Sequence, residues 1–360
     1  MFWLLIYIIC VVVLAIIFLI FYLSSHEPYT SEEILQIVYI LIFAPVVIIV
    51  GLLGGLKELI CYIAPLCRYS LKKRTVGIVI SDLRMVYAIN GKLQPEKVPV
   101  VYKSIKKWKM VCAGGYFQFR DNNMETVYPV HCGIVCNYEE MKFLFKSFDR
   151  ELFQLFSFKI TYNIAIPVVT TNYERFILTE LLKPKKIKIT LIPEVVSSII
   201  DEADFGLIYL AHAYTEITIV RNKTVHELAI ENIGLRDLAI DIIKSACPSI
   251  KANFRTGRPA LESLMEGNDY SIIGPDVETL LPRKELITKK DFYNYSEKWI
   301  DCVNKLRVKL PVSSYKWYVI SDYGKLDDLA VLMSNRCSMD LHPINDSQEL
   351  IAKKLSQMQD

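Results

Sequence analysis

The sequence has almost no net charge. Its 42 lysines and arginines are nearly balanced by 39 aspartates and glutamates, which leaves a formal charge of +3 at pH 7. Domains that bind nucleic acid are usually strongly basic, so the composition gives no global case for a nucleic-acid partner. The chain also contains no low-complexity segment.

The paired cysteine spacing of a zinc site is absent as well. The nine cysteines are odd in number and irregularly spaced. One cluster, formed by Cys112, His131, Cys132 and Cys136, could suggest a metal, but it has no paired CxxC partner. Cys132 and Cys136 also lie in apolar, strand-like surroundings. We therefore interpret these cysteines as reduced and structural, and we predict no metal site.

Charge is missing from a long run at the N-terminus. Residues Phe2 to Leu23 carry none, and a second apolar run extends from Ile34 to about Leu56. Each is long enough to cross a bilayer core of about 30 Å as a helix. The first run lacks the basic n-region and the cleavage site of a signal peptide. A buried core helix is the alternative for the second run, but the neighbouring span argues against it. We predict two transmembrane helices within residues 1–57.

Charges around these runs predict their orientation. The short loop from Ser24 to Glu33 carries three glutamates, whereas basic residues follow the second run. Because positive charge marks the cytoplasmic side, we expect a multi-pass protein of the inner (cytoplasmic) membrane with both termini and the soluble part in the cytoplasm. Residues 58–74 would then form a basic juxtamembrane linker that touches anionic lipid headgroups.

From Thr75 onward the patterning is that of an α/β protein. Residues 75–102 contain two strand-like runs and an Asn90-Gly91 hairpin turn. The stretch from Gly206 to Asp241 repeats the plan, with a turn at Asn222-Lys223 and a helix that opens at Ile233-Gly234. Two strand meanders, each followed by helices, predict a duplicated α/β domain with a cleft between its halves.

Periodicity places the other elements between and after the two meanders. Strands are predicted over Asn163–Val169, Lys188–Ile192 and Trp317–Ile320. Helices are predicted over Glu139–Phe156, Asn172–Leu182, Glu194–Ile200, Leu235–Ala246, Arg258–Glu266, Lys289–Leu306, Leu326–Ser334 and Asp346–Lys354.

Glycine is missing where the second meander would cradle a phosphate. The turn reads Ala211-His212-Ala213-Tyr214. A turn that binds phosphate normally offers glycines and bare backbone N–H groups, because glycine allows positive φ and a close approach of the ligand. The sequence therefore indicates a nucleotide-binding scaffold with an altered site.

Six segments resemble, in order and spacing, those of MreB, the rod-shape-determining family of bacterial actins. For example, NIAIPVVTTNYERFIL resembles the family's VPSG-x-T-x-VERRA, and WYVISDYGKLDDL resembles IVLTGGGALLRGL. Each segment alone is weak, but together they cover about residues 75–356. The six are Val127–Phe145, Asn163–Leu178, Ile189–Ile200, Ile217–Ile243, Ile273–Phe292 and Trp317–Leu329.

The resemblance implies an actin-like α/β fold, in which two ribonuclease-H-like lobes surround a nucleotide cleft and the protein assembles into filaments beside the membrane. Lobe I would comprise residues 75–204 and lobe II residues 205–313, and residues 314–360 would return to lobe I. Family members usually reach the membrane through a short amphipathic segment or a hydrophobic loop. The N-terminal transmembrane hairpin predicted here is a departure from that pattern.

All three phosphate-binding segments of the family are altered. The first loop, DLGTANT, corresponds to Val79–Arg84, and Val79 stands where an acid is expected. The second, DIGGGTTE, corresponds to Tyr209–Glu216 and loses its acid and all three glycines. The third, GGG, corresponds to Ser321–Gly324 and keeps one glycine. Losing one preorganised catalytic contact costs about 10²–10³ in rate, so we expect ATP hydrolysis to be inefficient or lost.

The resemblance also marks candidate residues at the cleft. Glu174 aligns with the glutamate that positions attacking water, although an acid that stabilises the first turn of its helix is the alternative. Asp82 could stand near Mg²⁺, His212 could contact a phosphate or fill an emptied site, and Arg84 could face a nucleotide or pair with an acid. The candidate nucleotide-binding positions are Ser81, Asp82, Arg84, His212, Thr215, Glu216 and Gly324.

Three functions follow as hypotheses. The first is a membrane-anchored, actin-like cytoskeletal or scaffold protein for cell shape or envelope organisation, with weak or lost ATP binding. Its partners would be itself, membrane lipids and other membrane or envelope-assembly proteins. The second is an active membrane-bound ATPase that uses ATP and Mg²⁺. The third is a membrane adaptor that does not polymerise.

Overall fold

The structure is a computed structural model of the 360-residue chain. The two predicted transmembrane helices and linker residues 58–73 lie outside the described residues. Within the described part, no helix combines the length and the apolar character needed to span a membrane. The described residues are 74–106, 109–114, 124–131, 133–152, 160–181, 186–251, 254–310 and 315–358.

Strands and helices alternate along the described chain. The strands are β1 Arg74–Ile80, β2 Met85–Ile89, β3 Lys92–Leu93, β4 Val101–Ser104, β5 Lys109–Ala113, β6 Met124–Val127, β7 Val130–His131, β8 Ile134–Val135, β9 Ile160–Ile166, β10 Lys186–Leu191, β11 Phe205–Leu210, β12 Thr215–Arg221, β13 Thr224–Glu231, β14 Tyr270–Pro275, β15 Pro282–Ile287, β16 Trp317–Ser321 and β17 Leu341–Pro343. The helices are α1 Tyr138–Leu152, α2 Asn172–Leu181, α3 Ile192–Ile200, α4 Leu235–Ala246, α5 Phe254–Met265, α6 Lys289–Val308, α7 Asp327–Cys337 and α8 Ser347–Gln357.

Two five-stranded sheets share one topology. The first has the order β3-β2-β1-β9-β10 and the second has the order β13-β12-β11-β16-β17. In each sheet the first three strands of the lobe form an antiparallel meander, and two later strands add in parallel. The repeated α/β plan predicted from the sequence is confirmed. Because the carboxyl ends of parallel strands meet at one edge, each lobe brings its loops to a common edge.

Apolar side chains pack the sheets in three clusters. The first sheet packs against α1 through residues such as Ile78, Tyr162 and Phe145. The second sheet packs against α4 to α7 in a separate cluster. A third cluster joins the inner faces of both sheets with α3 and α8, and it includes Val79 and Leu207. The two lobes therefore share buried apolar surface, which favours one relative arrangement.

Helix α8 lies directly on β1 and β2 of the first sheet. A side chain at Gly77 would overlap the carbonyl oxygen of Ala352 and would crowd the backbone nitrogen of Ser356. The amide of Asn163 on β9 donates to the carbonyl oxygens of Leu355 and Met358, at 2.7 and 3.2 Å. Glycine at position 77 is therefore what lets the last helix approach the sheet.

The structure corrects part of the expected return of residues 314–360 to lobe I. Strand β16 pairs with β11 in the second sheet, and β17 pairs with β16. Helix α8, at the end of this segment, packs on the first sheet as expected. The apolar run of β16, all of it buried, suits a strand with neighbours on both sides. The bounds at residues 204 and 313 stay predictions.

Several element limits also differ from the prediction. The strand expected over Asn163–Val169 is β9, which ends at Ile166 because Pro167 opens a turn. Helix α3 begins at Ile192, two residues before the predicted start, with Pro193 in its first turn. The β14–β15 hairpin was not predicted. The helix Leu235–Ala246 has the predicted limits.

Replacing Gly77 with alanine is expected to lower the free energy of unfolding by about 2 kcal/mol, because the added methyl group forces α8 away from β1. Thermal or chemical denaturation of the full-length chain measures the change. Lys188→Ala, at an exposed position in the same sheet, is the control and should change little. Equal stability of the Gly77→Ala and Lys188→Ala chains would contradict the close packing of α8.

Candidate nucleotide cleft

The turn between β1 and β2 is closed by its own backbone. The N–H of Ser81 donates to the carbonyl oxygen of Arg84 at 3.0 Å, and the Ser81 hydroxyl donates to the same oxygen at 3.2 Å. Ser81 is almost fully buried. The predicted cleft residue Ser81 therefore uses both of its donors to hold the turn.

Asp82 faces the segment around β7 and β8. One carboxylate oxygen, Oδ1, accepts from the backbone N–H of Gly133 at 2.8 Å. The other, Oδ2, lies 3.7 Å from Nδ1 of His131. Both oxygens are thus directed at lobe I, and the residue is only 9% exposed. This is not the open position that a magnesium ligand needs.

Leu83 crosses from the first lobe to the second. Its side chain is 7% exposed and belongs to the apolar cluster of the second sheet, together with Leu210 and Tyr323. A leucine at the tip of the first phosphate turn therefore fills space between the lobes. Burying such a side chain contributes about 1.5–3 kcal/mol, which favours the closed arrangement.

Arg84 pairs with acids rather than standing free. Its Nη1 donates to Glu349 on α8 at 2.9 Å and to Glu96 at 3.3 Å. Its Nε and Nη2 are buried and have no hydrogen-bond partner within the described residues. Of the two roles considered for Arg84, facing a nucleotide or pairing with an acid, the structure shows the pairing with Glu349 and Glu96.

The second turn joins β11 to β12 and meets the start of α4. The N–H of Ala211 donates to the carbonyl oxygen of Tyr214 at 3.0 Å, and the first N–H groups of α4 donate to the carbonyl oxygens of Ala211 and His212. A side chain at Gly234 would overlap the carbonyl oxygen of His212. The start of α4 therefore binds the turn itself, although helix starts commonly attract anions.

Asp322, at the carboxyl end of β16, completes the second turn. Its Oδ2 accepts from the backbone N–H of His212 at 2.8 Å. Its Oδ1 accepts from the hydroxyl of Tyr209 and from the side-chain amide of Gln348, both at 2.6 Å. Only 2% of the residue is exposed, and burial raises the pKa of the carboxyl group to about 6. The Asp322 carboxylate therefore binds the backbone N–H that a phosphate-binding turn would offer to its ligand.

His212 is buried against Tyr323. Its Nδ1 lies 3.3 Å from the Tyr323 hydroxyl, and Arg258 lies over the Tyr323 ring. Burial, reinforced by the charges of Arg236 and Arg258, lowers the pKa of His212 to about 3. The imidazole is therefore neutral near pH 7 and supplies no positive charge for a phosphate.

Tyr214 closes the cleft from the second lobe. Its ring is 2% exposed and packs edge-on against Tyr209, with ring centroids 5.9 Å apart. Its hydroxyl lies beside Gly133 of the first lobe. The next residue, Thr215, donates its hydroxyl to the carbonyl oxygen of Ile233 at 2.6 Å. Thr215 therefore supports the meander and does not face an open cleft.

Glu216 links the lobes through backbone donors. Its Oε2 accepts from the N–H groups of Val168 and Val169, at 3.0 and 3.3 Å, in the turn after β9. Its Oε1 is buried and has no hydrogen-bond partner in the described part of the chain. Burial raises the pKa of this carboxyl group to about 7. The carboxyl group therefore connects the two lobes. Its ionisation is unfavourable because the charge is buried.

Glu174 caps its own helix. Its Oε2 accepts from the backbone N–H of Thr171 at 2.6 Å and from the Thr171 hydroxyl at 2.8 Å. The N–H of Glu174 donates back to that hydroxyl at 3.3 Å, which completes a capping box at the start of α2. This geometry explains the residue without a reaction. A catalytic role for Glu174 stays a prediction.

A polar cleft remains beside Gly324. It has a volume of about 230 Å³, and its lining includes Arg84 from the first lobe. Gly324 leaves this edge open, since the nearest neighbour of an added side chain would be Asp346 Oδ1 at 3.2 Å. The other lining residues are Glu262, Met265, Glu266 and Lys325.

The residues present do not fit a magnesium triphosphate. The N–H of His212 is occupied by Asp322, and Leu83 and Tyr214 fill the space between the two turns. Within the described ranges, no group of three His, Cys, Asp or Glu side chains is placed to hold a metal ion. The second turn therefore binds a carboxylate of the chain itself, and Leu83 and Tyr214 are buried beside it.

Sequence reasoning missed Asp322, Gln348 and Leu83 as cleft residues. The available signal was that Asp322 stands in the segment that resembles GGG, where a side chain has no room beside a bound phosphate. Nothing local marks Gln348, because its partner is 26 residues away. The sequence indicated Leu83 only as one position of the altered first loop, Val79–Arg84.

Glu216→Gln tests the buried carboxyl group by its pH dependence. A folded pKa near 7, above the ordinary value of 4.5, means that wild-type stability is full below pH 4.5 and falls as the pH rises through 7. Glutamine does not titrate, so the stability of the variant relative to wild type should rise by about 3 kcal/mol across this window. Chemical denaturation at a series of pH values measures this change in stability.

Glu231→Gln, exposed in the same sheet, is the control. A pH-independent difference between Glu216→Gln and wild type would contradict the raised pKa.

Two solved structures share the fold of this chain. MreB5 of Spiroplasma citri bound to AMPPNP superposes with a TM-score of 0.67 at 13% identity, covering 79% of this chain and 95% of that chain. A MamK double helical filament gives a TM-score of 0.64 at 10% identity, covering 79% and 98%. No protein-family model and no curated protein sequence matches the chain. At these identities the likeness shows the fold, and the chain therefore has the actin-like α/β fold that its resemblance to MreB implied.

Proposed function

We propose that this chain is a membrane-anchored, actin-like cytoskeletal or scaffold protein that binds ATP weakly or not at all. It would organise the cell envelope or cell shape by assembling with copies of itself and with other membrane or envelope-assembly proteins. The observation that carries the proposal is the carboxylate of Asp322 on the N–H of His212, at 2.8 Å, inside an actin-like fold.

Self-association is supported by the fold. MamK, which shares the fold, forms a double helical filament. The six segments that resemble MreB include surfaces outside the cleft, whereas the loops that line the cleft are altered. Assembly without a working nucleotide site is therefore the combination that the chain favours.

Weak or lost ATP binding is supported by how the cleft is filled. A phosphate at the second turn would have to displace Asp322 from three donors: Tyr209, His212 and Gln348. Like charges close together repel, so the carboxylate also opposes the approach of an anion. Leu83 would have to leave an apolar cluster at the same time.

Membrane anchoring is supported by the apolar runs Phe2–Leu23 and Ile34–Leu56, which precede a basic segment. The anchor would place the actin-like part at the cytoplasmic face of the inner membrane, and residues 58–74 would contact anionic lipid.

An active ATPase is the second candidate, and one observation favours it. The cleft of about 230 Å³ beside Arg84 and Gly324 still opens between the lobes. MreB5, with the same fold, is bound to AMPPNP in its structure. In this alternative, Glu174 would position the attacking water.

The full-length chain, reconstituted into bilayers that contain anionic lipid, separates these candidates. Titration with ATP and Mg²⁺ should show no saturable binding up to about 1 mM, because the second turn is occupied. Sedimentation of the liposomes should show assemblies whose amount does not depend on ATP. Glu174→Ala should leave both results unchanged.

Tight, Mg²⁺-dependent ATP binding that Glu174→Ala converts into binding without turnover would support the ATPase and contradict the proposal. A chain that stays monomeric on the bilayers at high concentration would contradict the filament or scaffold role.

A further inference from the structure

We propose that Asp322 acts as an internal anion that takes the place of a phosphate on the second turn and so keeps the two lobes closed without nucleotide. The inference rests on the proposed loss of ATP binding and names the residue responsible. We further infer that the donors around the Asp322 side chain form an anion site that becomes available when this side chain is removed.

The donors around Asp322 are those that an oxyanion would use. Oδ2 accepts the His212 N–H at 2.8 Å, and Oδ1 accepts the Tyr209 hydroxyl and the Gln348 amide at 2.6 Å. All three groups are buried. A backbone N–H and two side-chain donors directed at one carboxylate form a preorganised site for an oxyanion. Without the carboxylate these three buried donors would lose their shared acceptor, which is unfavourable.

The backbone fixes Asp322 in this position. Strands β11 and β16 are parallel neighbours, and they end side by side at Leu210 and Ser321. The N–H of Asp322 donates to the carbonyl oxygen of Leu210 at 3.1 Å. The carboxylate and the His212 N–H therefore come from adjacent strand ends, with little freedom to move apart. A residue without a side chain at position 322 would leave the N–H open.

The same carboxylate connects the two lobes. Gln348 lies in the first turn of α8, the helix that packs on the first sheet, whereas Asp322 follows a strand of the second sheet. Leu83 enters the second lobe from the first, and Glu216 reaches back to the turn after β9. All of these links are made by the chain itself. The resemblance to MreB implies a nucleotide between the lobes, and here Asp322 supplies a negative group on the second turn.

Substitution of Asp322 tests the proposal as a gain of binding. The full-length chain in detergent is titrated calorimetrically with inorganic pyrophosphate. Wild type should show no binding. Asp322→Gly removes the carboxylate and the side chain, and it should bind pyrophosphate at least about tenfold more tightly than wild type. Asp322→Asn removes the charge and keeps nearly the same side-chain size. This variant is titrated in place of Asp322→Gly if the Asp322→Gly variant does not fold. Asp340→Asn, an exposed acid after α7, is the matched control and should behave as wild type.

Hydrogen exchange of the wild-type chain gives a second and independent test. Without nucleotide, the amide of His212 should exchange slowly, and the amides of Val168 and Val169 should be protected with it. In Asp322→Asn the His212 amide should exchange at least about tenfold faster, because its charged acceptor is gone. Fast exchange of His212 in wild type would overturn the proposal.

The two proposals fail separately. Tight ATP binding by wild type contradicts the proposed function. If wild type does not bind ATP and Asp322→Gly and Asp322→Asn bind pyrophosphate no better than Asp340→Asn, only the internal-anion inference is overturned.

Discussion

The hydrogen bond from the backbone N–H of His212 to the carboxylate of Asp322 determines what the cleft can hold. A turn at the end of a strand has few backbone N–H donors. In the turn after β11, the N–H of His212 donates to Asp322 of the same chain. The carboxylate is buried with two further donors, so an incoming phosphate would meet both repulsion and a filled site. Burial keeps the His212 imidazole neutral, so the turn offers no compensating positive charge. This contact is the physical basis for the proposed weak or lost nucleotide binding.

Side chains that fill the cleft also hold the lobes together. Leu83 and Tyr214 are buried between the lobes, and Glu216 accepts two backbone N–H groups across the gap. Because the chain supplies these contacts itself, they favour one relative arrangement of its lobes, which agrees with the proposed scaffold role. Glu216 carries an energetic cost, because its second oxygen is buried without a partner within the described residues.

The sequence predicted those features that depend on neighbours along the chain. The helix Leu235–Ala246 was placed correctly because its apolar period and its first-turn acid are local signals. The Asn90-Gly91 turn and the repeated meander were found for the same reason. Contacts between distant residues could not be read in this way. Asp322 and His212 are separated by 110 positions, and nothing near either residue indicates the other. The resemblance to MreB identified the turn as altered, but it did not reveal that an acid from the third segment replaces the ligand. Within the predicted return of residues 314–360 to lobe I, the strands β16 and β17 were likewise assigned to the wrong lobe, because a short apolar strand does not indicate which sheet it joins.

An experimental map of the full-length chain, prepared with an excess of AMPPNP and Mg²⁺, examines the central claim most directly. The account predicts that the Asp322 carboxylate lies on the His212 N–H, with Leu83 between the lobes and no triphosphate at the second turn. An ordered triphosphate with its magnesium on residues 211–214, and Asp322 turned away, would contradict it.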